Sequence, residues 1–349
     1  MRRFMEITGF KKTVPILCVA ALCTAARCIA DDAGTTGANF LKIPVAPVPT
    51  AMGQAYTAIS GVDSILYNPA GLGLMNYSAV SLAENNYIEG IHQQYAATAL
   101  RTDLGTFGAA FTSLSSGQFE AYDVNGADIG TTSSSHMLGV VSYSQSFPHW
   151  NQDRDMQDKQ LMLSGWSRIQ DVDFYRPRTP RISFGVSFKY IHERLDDVSA
   201  TTTSADAGVV VVPLQRLQLG ASLLNINGAE DFGTQAFSLP RTLRVGAATD
   251  FVGVKRLMVF RTSADYVKES DMDAYYCAGL EVSVMELISL RIGMRSDSGI
   301  GNGMSFGFGI VLDKSNNPDD LVGGIRFDYT YANEGEFDGS QRFGLQVLL

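Results

Sequence analysis

The sequence has little cysteine, little charge and, after residue 30, no long apolar run. Three of its four cysteines lie in the first thirty residues, so Cys277 stands alone downstream, and one thiol cannot form an internal disulfide. Charged residues make up 18% of the chain, below the ~25% of an average globular protein. The longest later apolar run, residues 207–214, falls short of the ~20 residues that a spanning helix needs. A helical membrane protein and a disulfide-stapled fold are therefore excluded.

The first thirty residues have the pattern of a secretory signal peptide. A basic start is followed by a short apolar stretch over residues 14–26, and Cys28-Ile29-Ala30 provides a small-x-small cleavage site. We therefore predict that residues 1–30 are removed on export. A single membrane anchor and a lipoprotein are the alternatives. The apolar stretch is short for an anchor, and Leu22 and Arg27 stand where a lipidated cysteine expects a small residue before it.

The chain is acidic. Its 27 Lys and Arg against 36 Asp and Glu give a net charge of −9. Residues 1–30 hold five of the basic residues and one acidic residue, so the mature chain has 22 against 35 and a net charge of −13. Because negative charge repels a phosphate backbone, we expect no nucleic-acid partner.

Residues 31–77 differ from the rest of the chain. Three prolines between residues 44 and 49 keep this stretch extended. Thr50 predicts the N-cap of a short helix. Asn68-Pro69-Ala70-Gly71 joins a good N-cap residue to a proline suited to the first helical position, and the glycines that follow predict a compact turn.

From Ser78 onward, apolar and polar residues alternate in one segment after another. This period of two indicates strands with one apolar and one polar face. The clearest segments are 182–190, 243–251, 288–294, 304–312 and 325–331. About fourteen such strands fit into the 272 residues after residue 77. Their length matches the ~9–11 residues that a tilted strand needs to cross a bilayer.

The connections between these segments alternate in length. Short turns are predicted at 102–103, 213–215, 252–254 and 285–287, and long loops at 115–135, 195–203, 227–239 and 333–339. This alternation is typical of a transmembrane up-and-down antiparallel β-barrel, so we predict an all-β barrel of about 14 strands over residues 78–349. The last residues also alternate, as expected of a strand that pairs with the first and leaves no open edge. A secreted β-sandwich or soluble barrel is the alternative.

Residues 148–180 interrupt the pattern with closely spaced charged residues of both signs. We predict a polar insertion here. A further strand over residues 161–166 would make the count odd, whereas single-chain bacterial barrels have even counts.

The N-terminal part and several strand segments resemble one family of outer-membrane proteins. The motifs are Gly53-Gln54-Ala55-Tyr56-Thr57-Ala58, Tyr67-Asn68-Pro69-Ala70-Gly71-Leu72, residues 184–191, Asp206-Ala207-Gly208, residues 239–246 and Gly279-Leu280-Glu281. In this order they are similar to the FadL-like long-chain fatty acid transporters, a family of outer-membrane β-barrels. The likeness is greatest to the branch with PorV-type secretion barrels and uncharacterised spirochaetal paralogues. It covers most of the mature chain.

The resemblance implies a fourteen-stranded barrel with an N-terminal hatch, residues 31–77, folded inside it. A barrel of this size has a lumen too wide for its own side chains to fill, so a plug is physically reasonable. The resemblance also implies that Asn68, Pro69, Ala70 and Gly71 hold the hatch conformation and gate transport. The plain alternative is a helix-start turn with no gating role.

The leading hypothesis is passive uptake of long-chain fatty acids or similar small hydrophobic molecules across the bacterial outer membrane. Its partners would be outer-membrane lipid and a hydrophobic ligand such as a fatty acid, with no cofactor. The alternative is a PorV-like barrel that docks or shuttles exported proteins without transporting lipid, using the loops that begin at Ser115 and Asn227. A soluble secreted β-protein is the third hypothesis.

Two sets of residues are candidates for ligand contact without a definite assignment. The first is apolar and lies in the hatch, where it either lines a ligand site or packs on the wall: Phe40, Leu41, Ile43, Met52 and Tyr56. The second consists of inward charges, interpreted as salt-bridge ladders in a wet lumen: Lys189, Arg244, Asp250, Arg291, Arg295, Asp313, Arg326 and Asp328. One arginine among them could bind a carboxylate.

No catalytic or metal site is predicted. Gly303-Met304-Ser305-Phe306-Gly307 fits a nucleophile-elbow motif, but it lies in an alternating strand, whereas the elbow needs a strand-to-helix turn. The four histidines lack metal-ligand spacing. The acidic segment 313–319 lacks the glycine and glutamate of a calcium loop and predicts a polar turn.

Overall fold

A computed structural model describes residues 34–148, 181–214, 216–233, 236–252, 258–285, 287–296, 303–312 and 323–349, apart from residues 336 and 338. The predicted signal peptide, the polar insertion beyond Pro148 and the acidic segment 313–319 lie outside these residues.

Strands dominate the described chain after residue 78. They are β1 Ala79–Asn86, β2 His92–Thr102, β3 Gly105–Tyr122, β4 Asp128–Phe147, β5 Arg181–Leu195, β6 Val198–Leu214, β7 Leu217–Ile226, β8 Ala229–Asp231, β9 Ala236–Ser238, β10 Thr242–Val252, β11 Met258–Glu269, β12 Tyr275–Val284, β13 Ile288–Arg295, β14 Met304–Leu312, β15 Gly324–Ala332 and β16 Ser340–Leu348. Within the described residues, the other regular elements are the α-helix α1 (Pro47–Ala51) and the 3₁₀ helices Asn39–Lys42, Val62–Leu66, Pro69–Leu74 and Ile88–Gly90.

Fourteen of these strands form a closed antiparallel barrel, which confirms the predicted fold. Chain neighbours pair throughout, and β8 and β9 form a separate hairpin in the connection between β7 and β10. The first strand closes the circle, because Ala79 lies opposite Ala99 of β2 on one side and Leu348 of β16 on the other. Closure leaves no unpaired edge around the wall, the condition for a β-structure to stand in lipid.

The alternation of side chains gives the barrel an apolar outside and a polar inside. On β5, Phe188 is 53% exposed on the outer face, while Lys189 next to it is only 4% exposed on the inner face. The same contrast recurs around the wall, with Phe306, Phe308 and Phe343 outward and Arg291 and Arg342 inward. An uncovered apolar outer surface is stable against hydrocarbon and unfavourable in water. Among the described residues, no helix has both the length and the hydropathy to span a bilayer.

Because the outer face of the wall is apolar, the effect of adding a charged side chain should depend strongly on where it is placed. Phe188→Arg at the middle of β5 should lower the free energy of unfolding in lipid vesicles by about 2–4 kcal/mol, because it places a cation on the lipid face. Phe119→Arg is the matched control, since Phe119 is also exposed but lies beyond the closed wall. Denaturant titration of both variants measures the difference. Equal losses would contradict the assignment of the lipid-facing surface.

The predictions of long loops at residues 115–135 and 195–203 are wrong. Residues 115–135 are mostly strand, because β3 and β4 continue as a two-stranded ribbon past the last pairs with β2 and β5, at Ser115 and Ser134. Residues 195–203 contain only the tight turn at Asp196 and Asp197 between β5 and β6. Both regions face water on each side, so they lack the apolar alternation that reveals a half-buried strand. The region 227–239 contains the β8–β9 hairpin.

The described segment before β1, residues 34–78, lies inside the barrel and is called the hatch. Its residues contact strands on every side of the circle, including β5, β7, β13 and β16, which only an internal segment can do. The predicted Thr50 cap is wrong. Helix α1 starts after Ala46 with Pro47 at its first position, and Thr50 lies within it and donates its hydroxyl to Ala46 O at 2.8 Å. Proline at the first helical position started the helix one turn earlier.

Candidate functional site

A belt of inward-facing glycines receives the hatch. The members of this glycine belt are Gly185, Gly208, Gly220, Gly279, Gly293, Gly307 and Gly344. A Cβ added at Gly185 would overlap the backbone of Pro69 and Ala70, and one at Gly293 would overlap Gly53. Two pairs of belt members lie directly opposite each other on adjacent strands, Gly185 with Gly208 and Gly279 with Gly293. The wall therefore lacks side chains where the plug lies closest to it.

The motif Asn68-Pro69-Ala70-Gly71 lies at this contact, where Asn68 faces Gly208 and Ala70 faces Gly185. Asn68 is fully buried, and its side-chain oxygen accepts a hydrogen bond from Ala70 N at 3.1 Å, which caps the 3₁₀ helix Pro69–Leu74 as predicted. Its side-chain nitrogen donates to Thr57 O at 2.8 Å and to Val209 O of β6 at 3.1 Å. One amide thus joins two parts of the hatch to the wall. The structure brings all four predicted residues together at the belt.

This geometry predicts a local effect of losing Asn68. Asn68→Ala removes an N-cap and leaves buried backbone groups without partners, so the hatch should lose about 2 kcal/mol of local stability. Hydrogen exchange of the Ala70 and Gly71 amides in the detergent-solubilised protein measures that loss. Asn125→Ala, at the exposed tip of the β3–β4 ribbon, is the control and should leave these amides unchanged. Unchanged protection in Asn68→Ala would contradict the assigned role.

A buried ion pair on the wall clamps the middle of the hatch. Asp265 of β11 accepts hydrogen bonds from Tyr56 N and Thr57 N, both at 3.0 Å, and lies 3.2 Å from Arg244 Nη2. Arg244 of β10 also donates to Gln54 O at 2.5 Å and to Thr57 Oγ1 at 3.0 Å. We call this group the Arg244–Asp265 clamp. Both charges are almost fully buried, and the hatch supplies hydrogen-bond partners for Asp265 Oδ2 and for the Arg244 guanidinium.

Arg244 also lies over the ring of Tyr67, with its guanidinium carbon 5.2 Å from the ring centroid. Burial raises the pKa of Tyr67 to about 12, and the positive charge of Arg244 opposes that rise. The phenol therefore stays neutral at physiological pH. A cation over an aromatic face adds further attraction between wall and hatch.

Wall hydroxyls and one guanidinium bind carbonyl groups along the rest of the hatch. These donors are Ser183 to Ala70 O, Ser222 to Tyr67 O, Ser305 to Thr50 O, Thr330 to Pro47 O and Arg342 to Pro44 O, at 2.7 or 2.8 Å. The hatch has little regular structure, so its buried carbonyls need partners from outside it. Ser305, the serine of the elbow-like motif, lies in β14 and holds the hatch.

A cavity of about 70 Å³ lies between the hatch and the wall. We call the end of the barrel where β7 ends and β10 begins the loop end, and the opposite end, with the tight turns after Thr102 and Leu214, the turn end. The cavity lies on the loop-end side of the clamp. Three of the five predicted apolar hatch residues line the cavity, namely Phe40, Leu41 and Ile43, together with Leu138 and Leu224 of the wall. Met52 and Tyr56 pack elsewhere in the hatch core.

The cations that line this cavity are engaged by carboxylates. Lys42 lies 2.6 Å from Asp271, Lys189 lies 2.9 Å from Asp206, and Arg244 is held in the clamp. The prediction of paired inward charges is confirmed at these positions. An anionic ligand head group would have to displace one of these carboxylates to bind a cation here.

A second set of charges crosses the wall towards the turn end. It runs from Asp250 through Arg261, Glu281, Arg291 and Asp328 to Arg326, with closest contacts between 2.5 and 3.6 Å. This ladder confirms the predicted salt bridges for four of the eight inward charges, namely Asp250, Arg291, Arg326 and Asp328. Arg295 instead lies over the ring of Tyr275, at 5.2 Å. The cavity at the loop end of the clamp thus combines apolar side chains with paired charges, whereas the ladder towards the turn end consists of charged side chains alone.

Two parts of the site were missed by the sequence analysis. Asp265 was not singled out, because an acid on the polar face of a strand looks like any lumen residue. The glycine belt was visible as glycines at inward positions of successive strands, but their common height in the barrel depends on the strand register. No group of three or more His, Cys, Asp or Glu side chains suited to a metal ion occurs within the described residues.

The chain matches no protein-family model and no curated protein. Among solved structures, it is similar to the Ralstonia pickettii toluene transporter TbuX, with 12% identity, a TM-score of 0.51 and coverage of 87% of this chain and 98% of that one. It is also similar to the Pseudomonas putida toluene transporter TodX, with 10% identity, a TM-score of 0.51 and coverage of 92% and 98%. A Pseudomonas aeruginosa FadL homologue aligns at 9% identity and a TM-score of 0.47, covering 88% and 98%. The two toluene transporters and this chain share a fold.

Proposed function

We propose that the protein lies in the bacterial outer membrane and passes small hydrophobic molecules through its barrel without an energy source. The observation that carries the proposal is the cavity at the loop end, lined by apolar hatch side chains and separated from the turn end by a clamped hatch. Such a site lets an apolar molecule leave water and bind next to the closed hatch. The shared fold with two proteins described as toluene transporters supports the same class of ligand.

Gating is the second part of the proposal, and it concerns Asn68, Pro69, Ala70, Gly71 and the Arg244–Asp265 clamp. The hatch is hydrogen-bonded around the whole wall, so complete ejection would break many buried contacts at once. We therefore propose a local movement: a ligand that enlarges the cavity pushes on Gln54 and Tyr67, which contact Arg244. Loosening the clamp then frees the motif and opens a path past the hatch.

Long-chain fatty acids are the finer ligand proposal, and neutral hydrocarbons are its competitor. An acyl chain suits the apolar side of the cavity, and its carboxylate could bind Lys42 or Lys189 only by competing with Asp271 or Asp206. A neutral aromatic needs no such exchange. Both classes must enlarge the 70 Å³ cavity, which in the closed form has no room for a whole ligand.

Uptake in whole cells tests the proposal. We expect cells with the protein in their outer membrane to take up labelled oleate, labelled toluene or both faster than empty-vector cells. Leu138→Trp, which fills the cavity, should reduce this uptake at least fivefold. Leu100→Trp is the control, because Leu100 is 50% exposed on the outer face. No uptake of either probe above empty-vector cells, with folded protein confirmed at the surface, would overturn the proposal.

A docking role for exported proteins, as in PorV-type barrels, is the second candidate. The β3–β4 ribbon favours it, because its strands extend beyond their neighbours and expose Phe119 and Tyr122. Unpaired strand edges bind extended segments of other chains. Crosslinking of envelopes before purification tests this role. A stable exported partner that is lost when residues 117–132 are replaced by a short turn would support docking, and its absence would argue against it.

A further inference from the structure

Two buried carboxyl groups face each other where the β8–β9 hairpin covers the start of the hatch. Glu230 of β8 is fully buried, and Glu193 on the inner face of β5 is 5% exposed. Glu193 is the charged group that acts on Glu230 most strongly, so the two carboxyl groups are electrostatic neighbours. Within the described residues, neither carboxyl oxygen of Glu230 has a hydrogen-bond partner.

The Glu230 carboxyl group also lies against the first described residues of the hatch. Gly37 N of the hatch donates to Ser238 O of β9 at 3.0 Å. A Cβ added at Gly37 would come within 2.6 Å of Glu230 Oε2, so the hatch backbone lies directly on the carboxyl group. Hairpin, wall and hatch therefore meet at one point.

The charged surroundings of this pair come from several elements. His136 of β4 lies beyond Glu193, with its Nδ1 2.7 Å from Glu193 Oε1, and Phe40 of the hatch stacks on the His136 ring at 5.1 Å. From β6, which packs along β8, Asp206 is paired with Lys189. On the other side of the hatch start, Lys42 is paired with Asp271 and Glu269, and the Thr36 hydroxyl binds Asp271.

Glu193 has a hydrogen-bonding partner in His136, whereas Glu230 has none among the described residues, so Glu230 is the carboxyl group that favours the protonated form. Burial, followed by the neighbouring charge of Glu193, raises the pKa of Glu230 from its ordinary 4.5 to about 8. Above that pH two carboxylates would lie side by side in a buried site, where like charges repel strongly. The contact between hairpin and hatch is thus built for a protonated Glu230.

We propose that Glu193 and Glu230 form a proton-operated latch that holds the β8–β9 hairpin over the hatch at neutral and acidic pH and releases it at alkaline pH. The direction of this pH dependence follows from the raised pKa of Glu230. The closed latch binds a proton that the open latch gives up, so closure is favoured at low pH. The equilibrium constant for closing the latch falls by up to about tenfold per pH unit as the pH rises from about 4.5 towards 8, and then levels off. The latch goes beyond the uptake proposal, because it does not depend on what the barrel carries.

Hydrogen exchange of the detergent-solubilised protein tests the latch directly. After correction for intrinsic exchange rates, the opening equilibrium of peptides covering residues 34–43 and 228–239 should rise at least tenfold between pH 6 and pH 9. Glu230→Gln should abolish this rise, because a neutral amide replaces the titrating group. Glu193→Gln is a second variant that removes the repulsion from the other side, in case the first does not fold.

Glu120→Gln is the matched control, a carboxylate on the exposed β3–β4 ribbon that should leave the pH response of the wild type unchanged. A wild-type opening equilibrium that is flat from pH 6 to pH 9 would overturn the latch. A rise in Glu230→Gln as steep as that of the wild type would also overturn it. Loss of uptake activity has no bearing on this readout, so failure of the transport proposal and failure of the latch can be told apart.

Discussion

Gly293→Val is expected to convert the closed barrel into an ion-conducting pore. A Cβ at this position would already overlap Gly53 and the carbonyl carbon of Met52, and valine adds two further methyl groups. The wall strand is held by its pairs with β12 and β14, whereas the hatch has little regular structure, so the hatch should move. A fourteen-stranded barrel without its plug has an open lumen, and we expect conductance in planar bilayers to rise by about tenfold or more.

The control for this experiment is Gly139→Val. Gly139 is also a glycine within a long barrel strand, but a Cβ there would have no neighbour within 4 Å. Both variants carry the same change in strand propensity, and only one meets the hatch. If both conducted equally, or if Gly293→Val stayed as closed as the wild type, the hatch would not be the barrier that the structure describes.

Asp265→Ala should have the second largest effect, which is to weaken the attachment of the hatch to the wall. It leaves Arg244 buried without its counter-ion and removes the acceptor for the Tyr56 and Thr57 amides. Breaking a buried pair by removing one partner costs about 3–5 kcal/mol, far more than the net value of the pair. We therefore expect the amides of Tyr56 and Thr57 to lose several hundredfold or more of their protection against hydrogen exchange, with the barrel strands retained.

Two further variants separate charge from geometry at the clamp. Asp265→Asn keeps an acceptor oxygen but no charge, and it should fall between wild type and Asp265→Ala. Asp250→Ala removes a wall carboxylate that pairs with Arg261 at 2.8 Å, and Asp250 is more exposed than Asp265. It should leave exchange at Tyr56 and Thr57 close to that of the wild type. Similar losses in Asp250→Ala and Asp265→Ala would show that wall charge in general, and not this clamp, stabilises the hatch.

The strands of the wall were predictable because apolar and polar residues alternate along each of them. The alternating segments at 182–190, 243–251 and 304–312 fall within β5, β10 and β14, since a strand between lipid and a polar lumen must alternate. The same rule failed for residues 115–135. There the ribbon has water on both faces, so hydrophobicity carries no period although the backbone is extended.

The hatch was predictable only in its local chemistry. Asn68 and Pro69 define a capped turn through their own side-chain and backbone preferences, and this turn forms as predicted. The clamp could not be predicted, because Arg244 and Asp265 lie on different strands and meet Thr57 only when the register of β10 and β11 is fixed. The ligand cavity depends in the same way on residues from the hatch and from several strands.

The amino-acid order alone determined that the chain forms long amphipathic strands that close on themselves, because the free energy of each strand depends on which of its faces meets an apolar medium. Only the tertiary structure decided how the plug is held, because buried charges and close backbone contacts act over a few ångströms between residues that are up to 298 positions apart, as Pro44 and Arg342 are. Such distances are set by barrel closure and strand register, which no local pattern contains.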